Sequence, residues 1–422
     1  MNQNRREFLI ASMAIALSGC SDGSTVDNGA GAPAARFAGA SKYVYDDVPV
    51  LVLAGSWLDM GMQYGYFLSE GIRTTHDLVA PFKDLYNRGC GKMNSDIIEE
   101  IYQAYPQHFK EFFSGVARTS GLSLDQLKVA NALEMVLIFG SDSYPPTRCS
   151  AVSVWGEYSR GGHLVYGRNY DYAREFSVLD DHIAVTIFKP DSKHIPFAIC
   201  TWAGCVYAST GINKKGMFVE ENDCSPHDKE ASGFYIAGDH YNMKTWVRDD
   251  VKLLSLLTDA RSMSEADNWM RNNLPIYPHN IGIADKTEAR CYQWNIPDRI
   301  PNAPYVRQAN GLMAQTNHYF MAPNKWNLPV FSEGDGIDRT IPGGSVGRVN
   351  NLLALAEKLK GEIDQTKMCD IMDTRYENGG ATVDSTLFQI VCEPETFSFK
   401  LKTLKRQNRW IDIPLYSLLV QS

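Results

Sequence analysis

No run of apolar residues in this chain reaches the roughly 18 needed to cross a bilayer as a helix. Clustered positive charge is missing as well. The 41 basic residues are outnumbered by 49 acidic ones, the formal net charge is −8, and no basic stripe offers a track for phosphates. Nucleic acid is therefore excluded as a general partner. None of the nine cysteines forms a CxxC pair, so a zinc site is not expected, and no metal or other cofactor is implied. Internal repeats are absent too. What remains is an ordinary soluble composition, 44% apolar and 21% charged over 422 residues, long enough for one large domain or two medium ones with a sizeable core.

The first 42 residues read as an address, not as fold. Asn4-Arg5-Arg6-Glu7-Phe8-Leu9 sets twin arginines ahead of a short apolar stretch, Phe8 to Leu17, which suits a signal segment and is too short to span a membrane. It closes on Leu17-Ser18-Gly19-Cys20, which resembles a bacterial lipobox, where the cysteine is lipidated and becomes the mature N-terminus. The plainer alternative is a secretory signal with a chance cysteine. The expectation is a signal over residues 1–20, lipidation at Cys20, export by the twin-arginine route, and a membrane-anchored lipoprotein facing the periplasm or cell surface. Residues 21–42, rich in Gly, Ala and Ser, form the tether. Setting aside Cys20 and Cys149, the cysteines at 90, 200, 205, 224, 291, 369 and 392 are odd in number, and nothing in their spacing assigns a pair.

Beyond the tether the texture changes once. From about Ser56 to Phe139 the pattern is helical: Leu58, Met62 and Tyr66 recur at four-residue spacing, and Ile97, Ile98, Ile101 and Tyr105 share a face. Ser123-Leu124-Asp125 offers a helix start ahead of Leu127, Val129, Ala130 and Leu133. From Cys149 the texture is strand-like. Ala151 to Trp155 and His163 to Tyr166 flank Ser159-Arg160-Gly161-Gly162, the turn of a hairpin. Further strands are expected at His182–Phe188, Phe197–Trp202, Ser385–Val391 and Phe397–Leu401, with helices at Trp246–Ala260 and Val346–Lys360. Strands followed by helices and strands again imply antiparallel sheets with helices outside, and strands apolar on both faces imply burial on both sides.

The break falls on one cysteine. Tyr144-Pro145-Pro146-Thr147-Arg148 cannot continue a helix, and Cys149 then opens the first core strand. Breaking the Arg148–Cys149 bond would place an α-amine beside the thiol. With a pKa of about 7.7–8.0, that amine accepts the thiol proton near neutral pH, and no histidine base is needed. A buried, inert cysteine is the commoner fate on pattern alone. Gly167-Arg168-Asn169-Tyr170-Asp171 ends the second strand, and antiparallel pairing returns Arg168 and Asp171 to the neighbourhood of Cys149. The guanidinium can hold a thiolate and the carboxylate can orient an ammonium. Taken singly, the two could equally be a surface ion pair flanking a turn.

Cys149-Ser150-Ala151 followed by Gly167-Arg168-Asn169-Tyr170-Asp171 resembles the start of the cysteine N-terminal-nucleophile (Ntn) hydrolases. These include the choloylglycine (bile salt and penicillin V) hydrolases, the N-acylethanolamine acid amidases and the acyl-coenzyme A:6-aminopenicillanic-acid acyltransferases. The last group fits best, because Gly55-Ser56 with Asp59-Met60-Gly61-Met62-Gln63-Tyr64-Gly65 is similar to the opening of its leader. Gly115-Val116-Ala117, Gly121-Leu122-Ser123 and Asn131 are similar to its helical pro-segment. The likeness runs over roughly residues 50 to 400. It implies an α+β fold, a four-layer αββα sandwich over residues 149–422, preceded by a mainly helical pro-segment over residues 43–148 that stays bound as a separate chain. It also implies Cys149 as nucleophile and Arg168 and Asp171 beside it. Gly211-Ile212-Asn213-Lys214-Lys215-Gly216-Met217 is similar to the family turn that leads to the oxyanion asparagine, here Asn222. Thr316-Asn317-His318-Tyr319-Phe320 resembles the motif whose asparagine lines the site, here Asn317. Ser345-Val346-Gly347-Arg348 resembles the opening of a late helix whose arginine, Arg348, reaches the site. Lys214 departs from the usual glutamate. Glu220-Glu221 stand where small or apolar residues are usual; two carboxylates beside the oxyanion asparagine either alter the charge preference for substrate or, by default, face solvent.

The implied activity is cleavage of linear amide bonds in N-acylated small molecules or peptides. Alternatives are acyl transfer to an amine, a phospholipase B-like esterase, which parallel ester and amide assays separate, and a non-catalytic surface lipoprotein, which would stay uncut at Arg148–Cys149.

Overall fold

The structure is a computed structural model that describes residues 37, 39–83, 86–87, 92–134, 149–172, 174–224, 249–273, 279–294, 304–320 and 344–421. The signal, the tether up to residue 36, Cys20, Cys90 and the cleavage-site residue Arg148 lie outside the described residues. Among those described, no helix is long and apolar enough to cross a membrane.

The described chain opens with strands β1 (Ser41–Tyr45) and β2 (Val48–Gly55), then helices α1 (Trp57–Phe67) and α2 (Ser69–Val79). The short hairpin β3 (Tyr86–Asn87) and β4 (Lys92–Met93) leads to α3 (Asn94–Ala104), α4 (Gln107–Thr119) and α5 (Leu124–Asn131). After Cys149 come β5 (Ser150–Val154), β6 (Val165–Asp171), β7 (Ile183–Pro190), β8 (Phe197–Trp202), β9 (Thr210–Asn213) and β10 (Phe218–Asp223). Helices α6 (Asp249–Asp259) and α7 (Met263–Asn272) follow, then β11 (His279–Ala284), β12 (Ala289–Trp294), β13 (Tyr305–Gln308) and β14 (Leu312–Gln315). The described chain ends with α8 (Ser345–Lys358), α9 (Gln365–Asp373), β15 (Thr386–Glu393), β16 (Ser398–Thr403) and β17 (Ile411–Ile413).

Two sheets stack at the centre. One has nine strands in the order β1-β2-β7-β8-β9-β10-β11-β12-β13, the other six in the order β14-β5-β6-β15-β16-β17. Helices α8 and α9 cover the six-stranded sheet, while α1, α6 and α7 cover the nine-stranded one. The result is an αββα sandwich. Between the sheets, Tyr166 of β6 meets Phe218 of β10 with ring centroids 4.8 Å apart, and Tyr170 meets Trp202 edge-on at 5.5 Å. All six residues of β8 are buried, as a strand covered on both faces requires.

The described part of the leader carries strands beside its helices. Its β1 and β2 join the nine-stranded sheet, and β2 runs parallel to β7 from Val50↔Val185 to Gly55↔Pro190, so that sheet is not wholly antiparallel. The run Val48–Leu53 is rich in Val and Leu and is buried where β2 lies between its neighbours, whereas Val44 on the edge strand β1 stays exposed.

The α1 helix forms as expected, but its buried stripe does not follow Leu58, Met62 and Tyr66. Trp57, Met60, Gly61, Tyr64 and Gly65 face inward, and Tyr66 is exposed. The reason is close packing. A Cβ on Gly61 would strike the Phe112 carbonyl of α4, and one on Gly115 would strike Leu58. The backbones approach closely enough for Thr119 Oγ1 to donate to the Met62 carbonyl at 2.7 Å. A search for large apolar side chains misses a contact face made of glycine. Gly61→Ala is expected to destabilise the protein by about 1–3 kcal/mol through overpacking, read as a lower denaturation midpoint.

Candidate active site

Strand β5 begins one residue after Cys149 and pairs antiparallel with β6, from Ser150↔Asn169 to Val154↔Val165. Asn169 Nδ2 donates to Ser150 Oγ at 3.1 Å and Gln389 Nε2 donates to Asn169 Oδ1 at 2.8 Å, which locks the head of β5 against β6 and β15. In this register the Cys149 Sγ lies 3.7 Å from the Asp171 carbonyl and 3.9 Å from Arg168 Nη2.

Both arginines are buried, each 1% exposed. Arg168 bolts the two sheets together. Rooted on β6, it donates through Nη1 to the Ser209 carbonyl and Thr210 Oγ1, through Nη2 to the Glu221 carbonyl at 2.6 Å, and faces Glu220 Oε2 across 3.5 Å from Nε. Arg348 enters from the first turn of α8. It donates to the Cys149 carbonyl at 3.0 Å, to Asp171 Oδ2 at 3.4 Å and to Asn317 Oδ1 at 2.7 Å. Asp171 also accepts from Thr386 Oγ1 at 2.5 Å. Asn317 Nδ2 donates to the Asp223 carbonyl at 2.7 Å, and its N–H donates to Ser345 Oγ at 2.9 Å. Arg168 and Asp171 are therefore not a surface ion pair: neither is exposed, and each arginine serves a different part of the cluster.

Asn222 is fully buried on β10, with its Nδ2 donating to Glu220 Oε1 at 3.0 Å. It joins the cluster through that carboxylate. Glu220 and Glu221 are buried, at 0% and 5% exposure, which corrects the expectation that they face solvent. The physical reason is supply of donors: Tyr166 Oη (3.0 Å), Asn222 and Gln315 converge on Glu220 Oε1, with Arg168 opposite its other oxygen. Glu221, on the other face of the strand, meets His279 Nε2 at 3.3 Å, and Asp223 meets the same nitrogen at 2.9 Å. Among the described residues, Glu221, Asp223 and His279 form one group with metal-ligating chemistry, their donor atoms within 4.8 Å of one another; the histidine's contacts to both carboxylates account for it.

Burial pushes the Cys149 thiol up to about 12, with Arg168 pulling it down. In the intact chain its nitrogen is an amide without basicity, so the sulfur stays protonated. Burial also lifts Glu220 to about 7 against the attraction of Arg168. Burial drives His318 down to about 3, so the ring is neutral; its Nδ1 lies 2.7 Å from Ser345 Oγ. The seven described cysteines, at 149, 200, 205, 224, 291, 369 and 392, are all free and buried.

Of the residues singled out in the sequence, Cys149, Arg168, Asp171, Asn317 and Arg348 form one hydrogen-bonded cluster. No family model matches the chain, and no curated protein matches it. Solved structures do. The Caenorhabditis elegans N-acylethanolamine-hydrolyzing acid amidase ortholog is 17% identical with a TM-score of 0.43, covering 58% of this chain and 93% of that one. The conjugated bile acid hydrolase from Clostridium perfringens is 14% identical at TM-score 0.39, covering 63% and 93%. Penicillin V acylase from Agrobacterium tumefaciens is 12% identical at TM-score 0.41, covering 65% and 89%. Each is a likeness at low identity.

Residues without a sequence signal also belong to the cluster. Thr386 and Thr210 are ordinary strand residues until the fold turns their hydroxyls inward. Glu220 had one readable signal: it alternates with Phe218 and Asn222 on a single strand face.

Proposed function

We propose that this chain is a self-processing amide hydrolase with Cys149 as its N-terminal nucleophile. The observation that carries the reading is a buried thiol at the head of a core strand, 3.9 Å from the Arg168 guanidinium, with its own carbonyl held by Arg348 at 3.0 Å. An inert core cysteine has no use for two buried guanidinium groups.

Maturation is an N-to-S acyl shift. The Cys149 sulfur adds to the carbonyl carbon of residue 148, its nitrogen takes a proton as the peptide C–N bond breaks, and water hydrolyses the thioester. The freed α-amine, with a pKa of about 8, is then the base that the buried thiol lacked. In turnover the amine takes the thiol proton and sulfur attacks the substrate's amide carbonyl. The oxyanion is held by the Asn222 side chain and a backbone N–H. The ammonium protonates the leaving amine, and the same amine then activates water to release the acid. Arg168 stabilises the thiolate, while Asp171 orients the ammonium and is held by Arg348 and Thr386.

The leader stays bound after cleavage. The β2–β7 ladder supports this, as do three hydrogen bonds: Tyr64 Oη from Gly204 N (2.9 Å), Thr75 Oγ1 to the Ala203 carbonyl (2.7 Å) and Asn131 Oδ1 from Val206 N (2.7 Å). Export through the twin-arginine segment and anchoring at Cys20 complete the reading. In that watery compartment, without an evident acyl-coenzyme A supply, water is the acceptor and the enzyme hydrolyses.

The test is intact mass and N-terminal sequencing of purified protein, together with amine release from a panel of N-acyl amines. A new chain beginning at Cys149 and free amine are expected. An uncut chain that turns over nothing ends the proposal.

A further inference from the structure

Glu220 occupies a position that a hydrolase of this kind does not obviously need. It is a fully buried carboxylate lying between the residue that touches the nucleophile and the residue assigned to the oxyanion. Its Oε1 accepts from Tyr166 Oη at 3.0 Å, from Asn222 Nδ2 at 3.0 Å and from Gln315 Nε2; its Oε2 faces Arg168 Nε at 3.5 Å. The other nitrogens of Arg168 reach the Cys149 sulfur, Ser209, Thr210 and Glu221. One rigid carboxylate thus ties a strand of the six-stranded sheet to a strand of the nine-stranded sheet at the reaction centre.

An asparagine amide is nearly symmetric in shape, and only its partners decide which end carries nitrogen. An anion that accepts from Asn222 decides it. With one N–H committed to Glu220, the amide plane is fixed and so is the direction of the second N–H. Arg168 Nε stands 3.5 Å from Glu220 Oε2 without a hydrogen bond between them, so the carboxylate acts on Arg168 by its charge and not by aiming it. We infer that Glu220 is a positioning residue, which sets the Asn222 amide relative to Cys149 without touching substrate. The inference rests on the hydrolase reading above and deepens it.

Substitution separates this role from simple packing. Glutamine keeps a carbonyl oxygen for Asn222 and Tyr166 but gives up the charge opposite Arg168; alanine removes both. The experiment uses the full-length chain, with rates expressed per alkylatable Cys149 counted by mass, and kcat and KM measured on one N-acyl amine. Glu220→Ala is expected to lower kcat about 10- to 100-fold with KM within about threefold, because a misaimed donor loses transition-state contact and not ground-state binding. Glu220→Gln is expected to stay within about fivefold of the parent kcat, since the acceptor survives. Added to Asn222→Ala, Glu220→Ala is expected to cost no more than about twofold further, as residues acting as a unit are non-additive.

Parent-like kcat in Glu220→Ala, or full additivity in the double variant, overturns the inference. If the alanine chain does not fold, Glu220→Met, similar in size but without the carboxylate acceptor, replaces it: a kcat loss of about tenfold or more beside a near-parent Glu220→Gln supports the role, and parent-like kcat in both overturns it. A parent protein that neither cuts itself nor turns over takes down the hydrolase reading and this inference together. An active parent with the overturning outcomes removes only the positioning role.

Discussion

A Cys149→Ala chain is expected to run as a single uncut polypeptide and to release no amine above the uncatalysed background. The alanine removes the only atom that can attack the preceding carbonyl, so the N-to-S shift has no nucleophile and no α-amine is ever freed. Both losses then follow from one missing sulfur. Unfolding does not explain them, because replacing this small buried side chain costs roughly 1–2 kcal/mol, well inside the margin of a domain this size. Mass spectrometry and an amine-release assay check the outcome, with the denaturation midpoint as a control. Cys392→Ala serves as the comparison: equally buried and free, but placed on β15 with no arginine contact among its described hydrogen bonds, it should cut and turn over as the parent does. A cut, active Cys149→Ala protein would falsify the mechanism outright.

Arg348→Ala carries the second large effect. This side chain donates to three acceptors that no other described group brings together: the Cys149 carbonyl, Asp171 and Asn317. Breaking one side of a buried charge pair costs about 3–5 kcal/mol, since the carboxylate keeps its desolvation penalty and loses a guanidinium. Loss of register at the nucleophile adds a kinetic penalty, as displacement of about 1 Å is worth about a hundredfold. The expected result is a lower denaturation midpoint, incomplete cleavage, and kcat per Cys149 reduced by about two orders of magnitude or more. Arg348→Lys should recover stability better than rate, because an ammonium supplies charge but not the fork that reaches Asp171 and Asn317 at once. Normal cleavage and normal rate in Arg348→Ala would show that the cluster does not position Cys149.

Much of the fold was written locally. The β5–β6 hairpin, the apolar run of β7, the capping box at Ser123 and the late helix opening at Ser345 each follow from residues within about twenty positions of one another. The glycine side of α1 was not legible, because Gly61 and Gly65, set between Trp57, Met60 and Tyr64, show no contact signal until Gly115 arrives from α4. The strands β1 and β2 were not legible either. Among the described strands β1 pairs only with β2, and the partner that holds β2 in the sheet, β7, is more than 120 residues away, so nothing local announces the pairing.

The candidate site divides the same way. By itself the sequence determined where a nucleophile could stand, at the break between a proline-interrupted loop and a strand. It also determined which residues a hairpin would return to it, because antiparallel register is a short-range rule. Only the tertiary structure decided that Arg168 and Arg348 have different duties, one across the sheets and one down from a helix. It alone decided that Glu220 turns inward. A carboxylate's fate depends on the donors around it, and Tyr166, Asn222, Gln315 and Arg168 come from three strands in two sheets.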